Sequence, residues 1–278
     1  HHPPLARHRI RQAPGRPLRP DAAPERLPRK QRIPTVIVLR SALFNAWFFG
    51  TTALLGAIGI FVRAFTPWWT LRLAQLWAAT ALFGAKWICG IEADITGFDK
   101  IPPGAALLAS QHQSAFDTLI WVVQLHRCSY VFKAELADIP LFGPMLEASG
   151  QIPVDRNASV AAIRALLRGT EAAKAAGRQI VIFPEGTRVA YGTEVEIRGG
   201  FSMIAARTGL PIYPVSTDSG LYWSRRAFVK RPGRVRIHIG EPIPTTVRGD
   251  ALIATLRQRW ADASFAESAV DNSVDQPV

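Results

Sequence analysis

The chain has 278 residues, enough for one large domain or two small ones, and 48% of them are apolar, so a sizeable core can form. Two cysteines, Cys89 and Cys128, are too few for a disulfide framework or a zinc cluster. The formal net charge of +12 is uneven, because residues 1–34 carry nine Lys and Arg against two acidic residues. A basic tail of this kind suits an anionic membrane surface. It could also contact nucleic acid, but we find no nucleic-acid-binding signature.

Residues 1–34 are rich in proline and arginine and lack apolar periodicity, so we predict a disordered tail. Residues 41–62 follow as 22 consecutive uncharged residues between Arg40 and Arg63. As a helix they would extend about 33 Å, which is enough to cross the hydrocarbon core of a bilayer. The alternative is a core helix buried in a soluble protein.

A second apolar stretch covers residues 68–90, but its uncharged centre, between Arg72 and Lys86, has only 13 residues. That is short for a span of roughly 20 residues. The helix either crosses with both cations reaching the interface, or it forms a hairpin that dips into one leaflet. We therefore assign residues 35–90 to a membrane-associated helical hairpin. Either arrangement returns the chain to the side of the basic tail, which the positive-inside tendency makes cytoplasmic.

From about residue 91 the pattern changes to alternating strands and helices. Short apolar runs or strict alternation predict strands at 105–110, 180–183, 212–215 and 234–240. Helical periodicity and helix-ending glycines predict helices at 114–125, 159–176, 201–208 and 251–263. Such alternation predicts an α/β layered domain over residues 91–264, followed by a flexible tail at 265–278.

The first motif with chemical potential is His112, followed five positions later by Asp117. In one continuous helix, positions five apart lie about 140° apart around the axis, so these side chains could not easily touch. If the helix starts at Ser114, with Ser114 and Asp117 as a capping box, His112 lies in the preceding loop and can fold back onto the carboxylate. That arrangement would be a general base with an orienting acid. The alternative is a helix-capping aspartate beside an ordinary polar histidine.

The second motif, residues 183–188, joins a buried strand to a loop that holds Gly186, Thr187 and Arg188. Glycine lets backbone N–H groups approach an anion, and arginine can bind phosphate through two hydrogen bonds. Lys133 and Arg156 are further cations near strand ends. A surface salt bridge explains any one of them equally well. Three cations and a histidine at the loop ends of one domain, however, predict a shared phosphate pocket.

With these motifs in this order, residues 105–216 resemble the lysophosphatidic acid acyltransferase (glycerolipid acyltransferase) family. His112 and Asp117 match its first block and residues 183–188 match its third. Residues 133–156 are similar to its second block and residues 210–215 match its fourth. The two apolar helices ahead of them also fit. Gln111 is a departure, because the residue before the histidine is often asparagine in this family, although glutamine keeps the amide.

The resemblance implies an α/β fold: a single acyltransferase domain with a mixed β-sheet flanked by helices, preceded by a membrane-inserted two-helix segment. It implies that His112, oriented by Asp117, deprotonates the sn-2 hydroxyl of lysophosphatidate. The hydroxyl oxygen then attacks the thioester of acyl-CoA or acyl carrier protein, and the product is phosphatidate. The acceptor phosphate would be bound by three cations: Lys133, Arg156 and Arg188. The glycerol site would be shaped by the loop residues Glu185, Gly186 and Thr187.

The resemblance implies no metal and no cofactor beyond the acyl-thioester co-substrate. The expected partners are membrane lipid, a lysophospholipid acceptor and the acyl donor, with no nucleic acid, and the expected location is the cell membrane. Pro211 and Val215 are expected to line the acyl or CoA side. Two alternatives stay open: another lysolipid acceptor such as lyso-ornithine lipid, and a non-catalytic, membrane-tethered protein that binds phosphate or nucleic acid through its basic tail.

Overall fold

The computed structural model describes residues 33–138, 143, 146, 149–154, 160–193, 196–263 and 265. The predicted tails at 1–34 and 265–278 lie almost wholly outside these residues. Arg156 lies outside them as well.

The region begins with two antiparallel helices, α1 (Thr35–Phe65) and α2 (Thr70–Cys89). They pack along their length, and the indole N–H of Trp47 donates to the carbonyl oxygen of Thr80 at 2.9 Å. Among the described helices, α1 alone is long and apolar enough to cross a membrane. Its most apolar 18-residue window has a mean hydropathy of 1.7 and is only 6% buried. Such low burial argues against a core helix buried in a soluble protein.

The described residues contain a sheet of seven strands: β1 (Ile91–Thr96), β2 (Ala106–Ser110), β3 (Cys128–Lys133), β4 (Ile152–Val154), β5 (Gln179–Ile182), β6 (Ile212–Thr217) and β7 (Gly233–Ile239). Their order across the sheet is β1-β7-β6-β2-β5-β3-β4. Neighbouring strands are parallel except for β6 and β7, which are antiparallel. The sheet is therefore mixed, as the family resemblance implied.

Helices cover both faces of the sheet. The α1–α2 hairpin and α3 (Ala115–Gln124) contribute to the hydrophobic cluster on one face. The other face is covered by three helices: α4 (Val160–Ala175), α5 (Gly199–Thr208) and α6 (Gly249–Asp262). Because successive side chains of a strand point to opposite faces, Leu108 of β2 joins the first cluster and Leu107 joins the second. All of β2 is buried, so its carboxyl end is a rigid point at the centre of the fold.

The strands and helices predicted from the sequence are present, with ends that differ by one or two residues. The sequence analysis assigned no strand to β1 or β3. In β1, only Ile91 is buried, and the charged Glu92 and Asp94 are exposed, so this edge strand lacks a buried apolar face. In β3, the apolar pattern is broken by Ser129, a buried hydroxyl that donates to the carbonyl oxygen of Gly150 at 2.8 Å.

Gly97 follows β1 with a φ of +74°, and it lies against the carbonyl oxygen of Ile239 at the end of β7. A Cβ at this position would overlap that oxygen and would also occupy the left-handed region. We expect Gly97→Ala to lower the free energy of unfolding by about 2–4 kcal/mol, measured by urea denaturation in detergent. Gly104→Ala is the control, because no atom lies within 4 Å of its added Cβ. Equal losses in the two variants would contradict the prediction.

Candidate active site

His112 and Asp117 lie together beyond the carboxyl end of β2. Ser114 caps α3: its Oγ accepts a hydrogen bond from the Phe116 N–H at 3.1 Å, while its own N–H donates to Asp117 Oδ2 at 2.7 Å. This confirms the predicted capping box. His112 lies two residues before the cap, and its Nδ1 is 3.3 Å from Asp117 Oδ2. Asp117 thus caps the helix and contacts the imidazole, so the two interpretations of this motif are compatible.

The position of His112 is fixed through its ring and its backbone. The ring stacks on Phe183, with centroids 3.9 Å apart and planes at 18°. The backbone N–H donates to Glu185 Oε2 at 2.7 Å, and the carbonyl oxygen accepts from the Val189 N–H at 2.8 Å. With Nδ1 directed to Asp117, Nε2 is the ring nitrogen left for a substrate, and the side chain keeps 13% exposure.

Glu185 joins the second motif to the first through its hydrogen bond from the His112 N–H. Its side chain is buried, and burial raises the pKa of its carboxyl group to about 8. The hydrogen bond from His112 opposes this rise, and the charge of Asp117 adds to it. A largely protonated carboxyl group therefore holds the His112 loop at neutral pH. The structure directs this side chain to the backbone of His112 rather than to the surface of a cavity.

Gly186 allows the turn in the second motif. Its φ is +67°, and its N–H donates to the carbonyl oxygen of Phe183 at 2.9 Å. A Cβ added here would lie 3.1 Å from Cγ of Arg198, so the bare backbone also leaves room for that side chain. The turn at Gly186 thus leaves space for Arg198 beside residues 183–188, which already contain the cation Arg188.

A cavity of about 730 Å³ adjoins these motifs. His112, Arg188 and Arg198 are part of its wall, while much of the rest is apolar: Phe132, Leu136, Val154, Ile163, Met203 and Ile204. Phe48 of α1 and Trp77 of α2 also line it, so the hairpin helps to enclose the cavity. A cavity with a few polar groups and a long apolar wall suits an amphiphilic ligand.

Two of the three cations predicted to bind phosphate line this cavity, and the third, Arg156, is not described. Burial lowers the pKa of the Arg188 guanidinium, with Asp117 opposing the shift and Arg225 adding to it. A desolvated cation beside another cation favours a bound anion. Lys133 pairs with Glu135 at 2.8 Å, and both side chains are exposed enough for this pair to be weak. Of the predicted acceptor-site residues, Gly186 alone lines the cavity; Glu185 and Thr187 do not.

Arg198 is a cavity cation that the sequence analysis missed. It immediately precedes α5, and its backbone N–H donates to the carbonyl oxygen of Pro184 at 2.8 Å. A signal was available, because Arg198 is followed by Gly199 and Gly200, the same pairing of cation and glycine that drew attention to Gly186. Because Arg198 lies outside residues 183–188, the sequence alone did not indicate that it lines the same cavity as Arg188.

The fourth block contributes to the sheet rather than to the cavity. Val215 is fully buried in β6, and its carbonyl oxygen accepts from the Gln111 N–H at 2.9 Å. The carbonyl oxygen of Pro211 accepts from the Leu107 N–H at 3.2 Å. The structure therefore places neither Pro211 nor Val215 on the cavity wall, contrary to expectation. The Gln111 side chain also binds the sheet, because its Oε1 accepts a hydrogen bond from the Thr217 N–H of β6 at 3.1 Å.

The chain is similar in sequence and fold to known proteins. The family model described as Acyltransferase matches residues 92–218, which include both motifs. The 1-acyl-sn-glycerol-3-phosphate acyltransferase of Pseudomonas aeruginosa is 28% identical over 249 residues, covering 87% of this chain and 97% of its own length. The enzyme of the same name from Borreliella burgdorferi is 30% identical over 162 residues, covering 57% of this chain and 62% of its own.

The crystal structure of the 1-acyl-sn-glycerophosphate (LPA) acyltransferase PlsC from Thermotoga maritima has the same fold. It aligns with a TM-score of 0.65 and 19% identity, covering 87% of this chain and all of its own. The matched sequence, the α/β fold and the two motifs agree with one another. Together these findings support the lysophosphatidic acid acyltransferase (glycerolipid acyltransferase) family for this chain.

Proposed function

We propose that this acyltransferase moves an acyl group from acyl-CoA or acyl carrier protein to the sn-2 hydroxyl of lysophosphatidate, giving phosphatidate. One observation carries the proposal: His112, paired with Asp117, borders the same largely apolar cavity as Arg188. A base, a phosphate-binding cation and an apolar wall are what a phosphorylated lipid alcohol requires. A non-catalytic binding protein is the wrong interpretation, because the family and its named relatives are acyltransferases.

In this mechanism His112 Nε2 accepts the proton of the acceptor hydroxyl while the oxygen bonds to the thioester carbonyl carbon. The tetrahedral intermediate then expels the thiolate, and the imidazolium gives it the proton that came from the hydroxyl, so the products are ester and free thiol. Asp117 keeps Nδ1 protonated and stabilises the imidazolium that forms in between. Base and orienting acid are already in contact, at 3.3 Å, so no large rearrangement is needed.

The acyl group passes directly between donor and acceptor in this proposal. Ser114, the hydroxyl nearest to His112 in sequence, is fully buried, and its Oγ is used to cap α3. Cys89 and Cys128 are buried as well. None of these three groups can reach a thioester in the cavity, which supports attack by the acceptor oxygen itself.

In the bound acceptor, the phosphate lies at Arg188, with Lys133 and Arg156 as the other predicted ligands and Arg198 as an addition from the cavity wall. Gly186 lets the glycerol backbone approach the turn. Glu185 and Thr187 act through the shape of that turn. The apolar wall of the cavity binds an acyl chain.

We further propose that the enzyme acts at the cell membrane, with residues 91–264 on the cytoplasmic face. The length and exposed apolar surface of α1 support membrane association. The basic tail supports the orientation. Because Phe48 of α1 and Trp77 of α2 line the cavity, a lysolipid can enter it from the side of the membrane.

The proposal is tested first with His112→Ala. Removing the base should lower kcat by roughly 10²- to 10⁴-fold, measured as lysophosphatidate-dependent thiol release from acyl-CoA. His126→Ala, at an exposed position beyond α3, is the matched control and should keep wild-type turnover. Equal thiol release by wild type and His112→Ala would refute the mechanism. A wild-type preference for lyso-ornithine lipid or another lysophospholipid would instead change the acceptor.

Glu185 predicts a pH dependence of stability. Its carboxyl group ionises near pH 4.5 in the unfolded chain and near pH 8 in the fold. Between these values the folded state keeps a proton that the unfolded state has lost, so the free energy of unfolding falls as the pH rises towards 8. Relative to Glu185→Gln, wild type should therefore lose stability over this range and level off above it, as measured by urea midpoints. Glu196→Gln, at an exposed position, is the control, and parallel curves for wild type and Glu185→Gln would oppose the prediction.

Arg188→Gln removes a half-buried cation from the cavity wall. We expect the KM for lysophosphatidate to rise roughly 10- to 100-fold, because a charge-assisted hydrogen bond to phosphate is lost. The KM for a monoacylglycerol, which lacks the phosphate, should stay near its wild-type value. Arg207→Gln on the exposed side of α5 is the control. A parallel rise for both acceptors would show that Arg188 does not recognise the phosphate.

A further inference from the structure

Residues 224–231, which we call the basic loop, lead into β7 and lie beyond the region that matches the family model. The loop contains four cations and no acidic residue: Arg225, Arg226, Lys230 and Arg231. The mechanism proposed above uses none of them. Arg226 has a φ of 57°, the one positive value for a residue other than glycine among those described. Such strain persists only where the surrounding structure enforces it.

The basic loop is fastened to α1 by the buried Lys230. The Lys230 backbone N–H donates to Ser41 Oγ at 2.9 Å, and its ammonium group donates to Asn45 Oδ1 at 2.5 Å. The same ammonium lies 5.5 Å from the ring centroids of Phe44 and Trp223. These contacts hold the loop at a defined height along α1.

The other three cations are exposed, and no ion pair among the described residues involves them. Phe228, at the centre of the loop, is 53% exposed, and its ring centroid lies 5.9 Å from the Lys230 ammonium. Lys230 thus contacts both this ring and Phe44 of α1. Within about two turns of Phe44, α1 exposes large apolar side chains: Leu39, Leu43, Trp47 and Phe49. Lys230 therefore joins the loop to an exposed apolar part of the helix.

We propose that the basic loop binds the anionic headgroups of the bilayer in which α1 is embedded, with Phe228 entering the boundary of the acyl chains. The inference rests on the membrane location proposed above. Charge complementarity favours this occupant, because unpaired cations flank an exposed aromatic ring and no carboxylate intervenes. The proximity of the apolar face of α1 favours a lipid surface over a separate protein.

The loop also reaches the active site. Arg225 Nη1 donates to the carbonyl oxygen of Arg188 at 3.3 Å, within the turn that carries the proposed phosphate ligand. One end of the loop is thus bound to α1 and the other to the phosphate site. Headgroup binding by this loop sets the height of the cavity relative to the membrane surface.

The depth of the loop is measured on the full chain with an environment-sensitive fluorophore on single introduced cysteines, since Cys89 and Cys128 are buried. Phe228→Cys reports on the loop, Phe49→Cys on α1, and Ala254→Cys on the exposed side of α6. With phosphatidylcholine–phosphatidylglycerol vesicles, the labels at 49 and 228 should shift to the blue, and the label at 254 should not. A shift at 49 without one at 228 would overturn this inference alone. No blue shift at either position 49 or position 228 would overturn the membrane location and the inference together.

The charge requirement is tested with Arg226→Gln/Arg231→Gln, which spares Arg225 and its contact with the active-site turn. Binding to anionic vesicles should weaken roughly 30-fold, and binding to phosphatidylcholine alone should not change. Arg248→Gln/Arg259→Gln makes the same charge change at exposed positions on the α6 side of the sheet and should keep wild-type binding. Equal losses in the two double variants, or an equal loss on neutral vesicles, would refute the proposal, the latter pointing to a changed fold or another partner.

Discussion

The site depends on one buried carboxylate oxygen. Asp117 Oδ2 accepts the backbone N–H groups of Gln113 and Ser114, each at 2.7 Å, and contacts His112 Nδ1 at 3.3 Å. Burying a carboxyl group is costly without such partners, so these donors hold it in place. They also determine where α3 begins. Had the helix begun three residues earlier, His112 would belong to it and would point about 140° away from Asp117.

The pairing of β2 with β5 completes the site. Because these strands are parallel and adjacent, the loops beyond their carboxyl ends emerge at the same edge of the sheet. Glu185 and Val189, on the loop after β5, then bind the backbone N–H and carbonyl of His112. The imidazole is held by side-chain stacking, by a carboxylate and by two backbone contacts at once. Such redundancy gives the preorganisation that proton transfer requires.

The α1–α2 hairpin and the α/β domain share a cavity wall. Phe48 and Trp77, from the two helices of the hairpin, line the cavity that contains His112 and Arg188. The hairpin is tied to the domain a second time, where Lys230 binds Ser41 and Asn45 of α1. In the proposed function, a lipid acceptor would reach His112 and Arg188 from the side of the cavity that the hairpin lines.

Local patterns in the sequence determined the alternation of strands and helices, the capping box at Ser114, the apolar α1 and the order of the two motifs, because each depends on residues close together in the chain. Only the tertiary structure showed that Glu185 binds the backbone of His112, 73 positions away, or that Arg198 joins Arg188 in one cavity. The edge strand β1 escaped prediction for a similar reason, since it owes its form to pairing with β7 rather than to its own side chains. Contacts between distant segments follow from how the sheet assembles, and no short window of sequence contains that information.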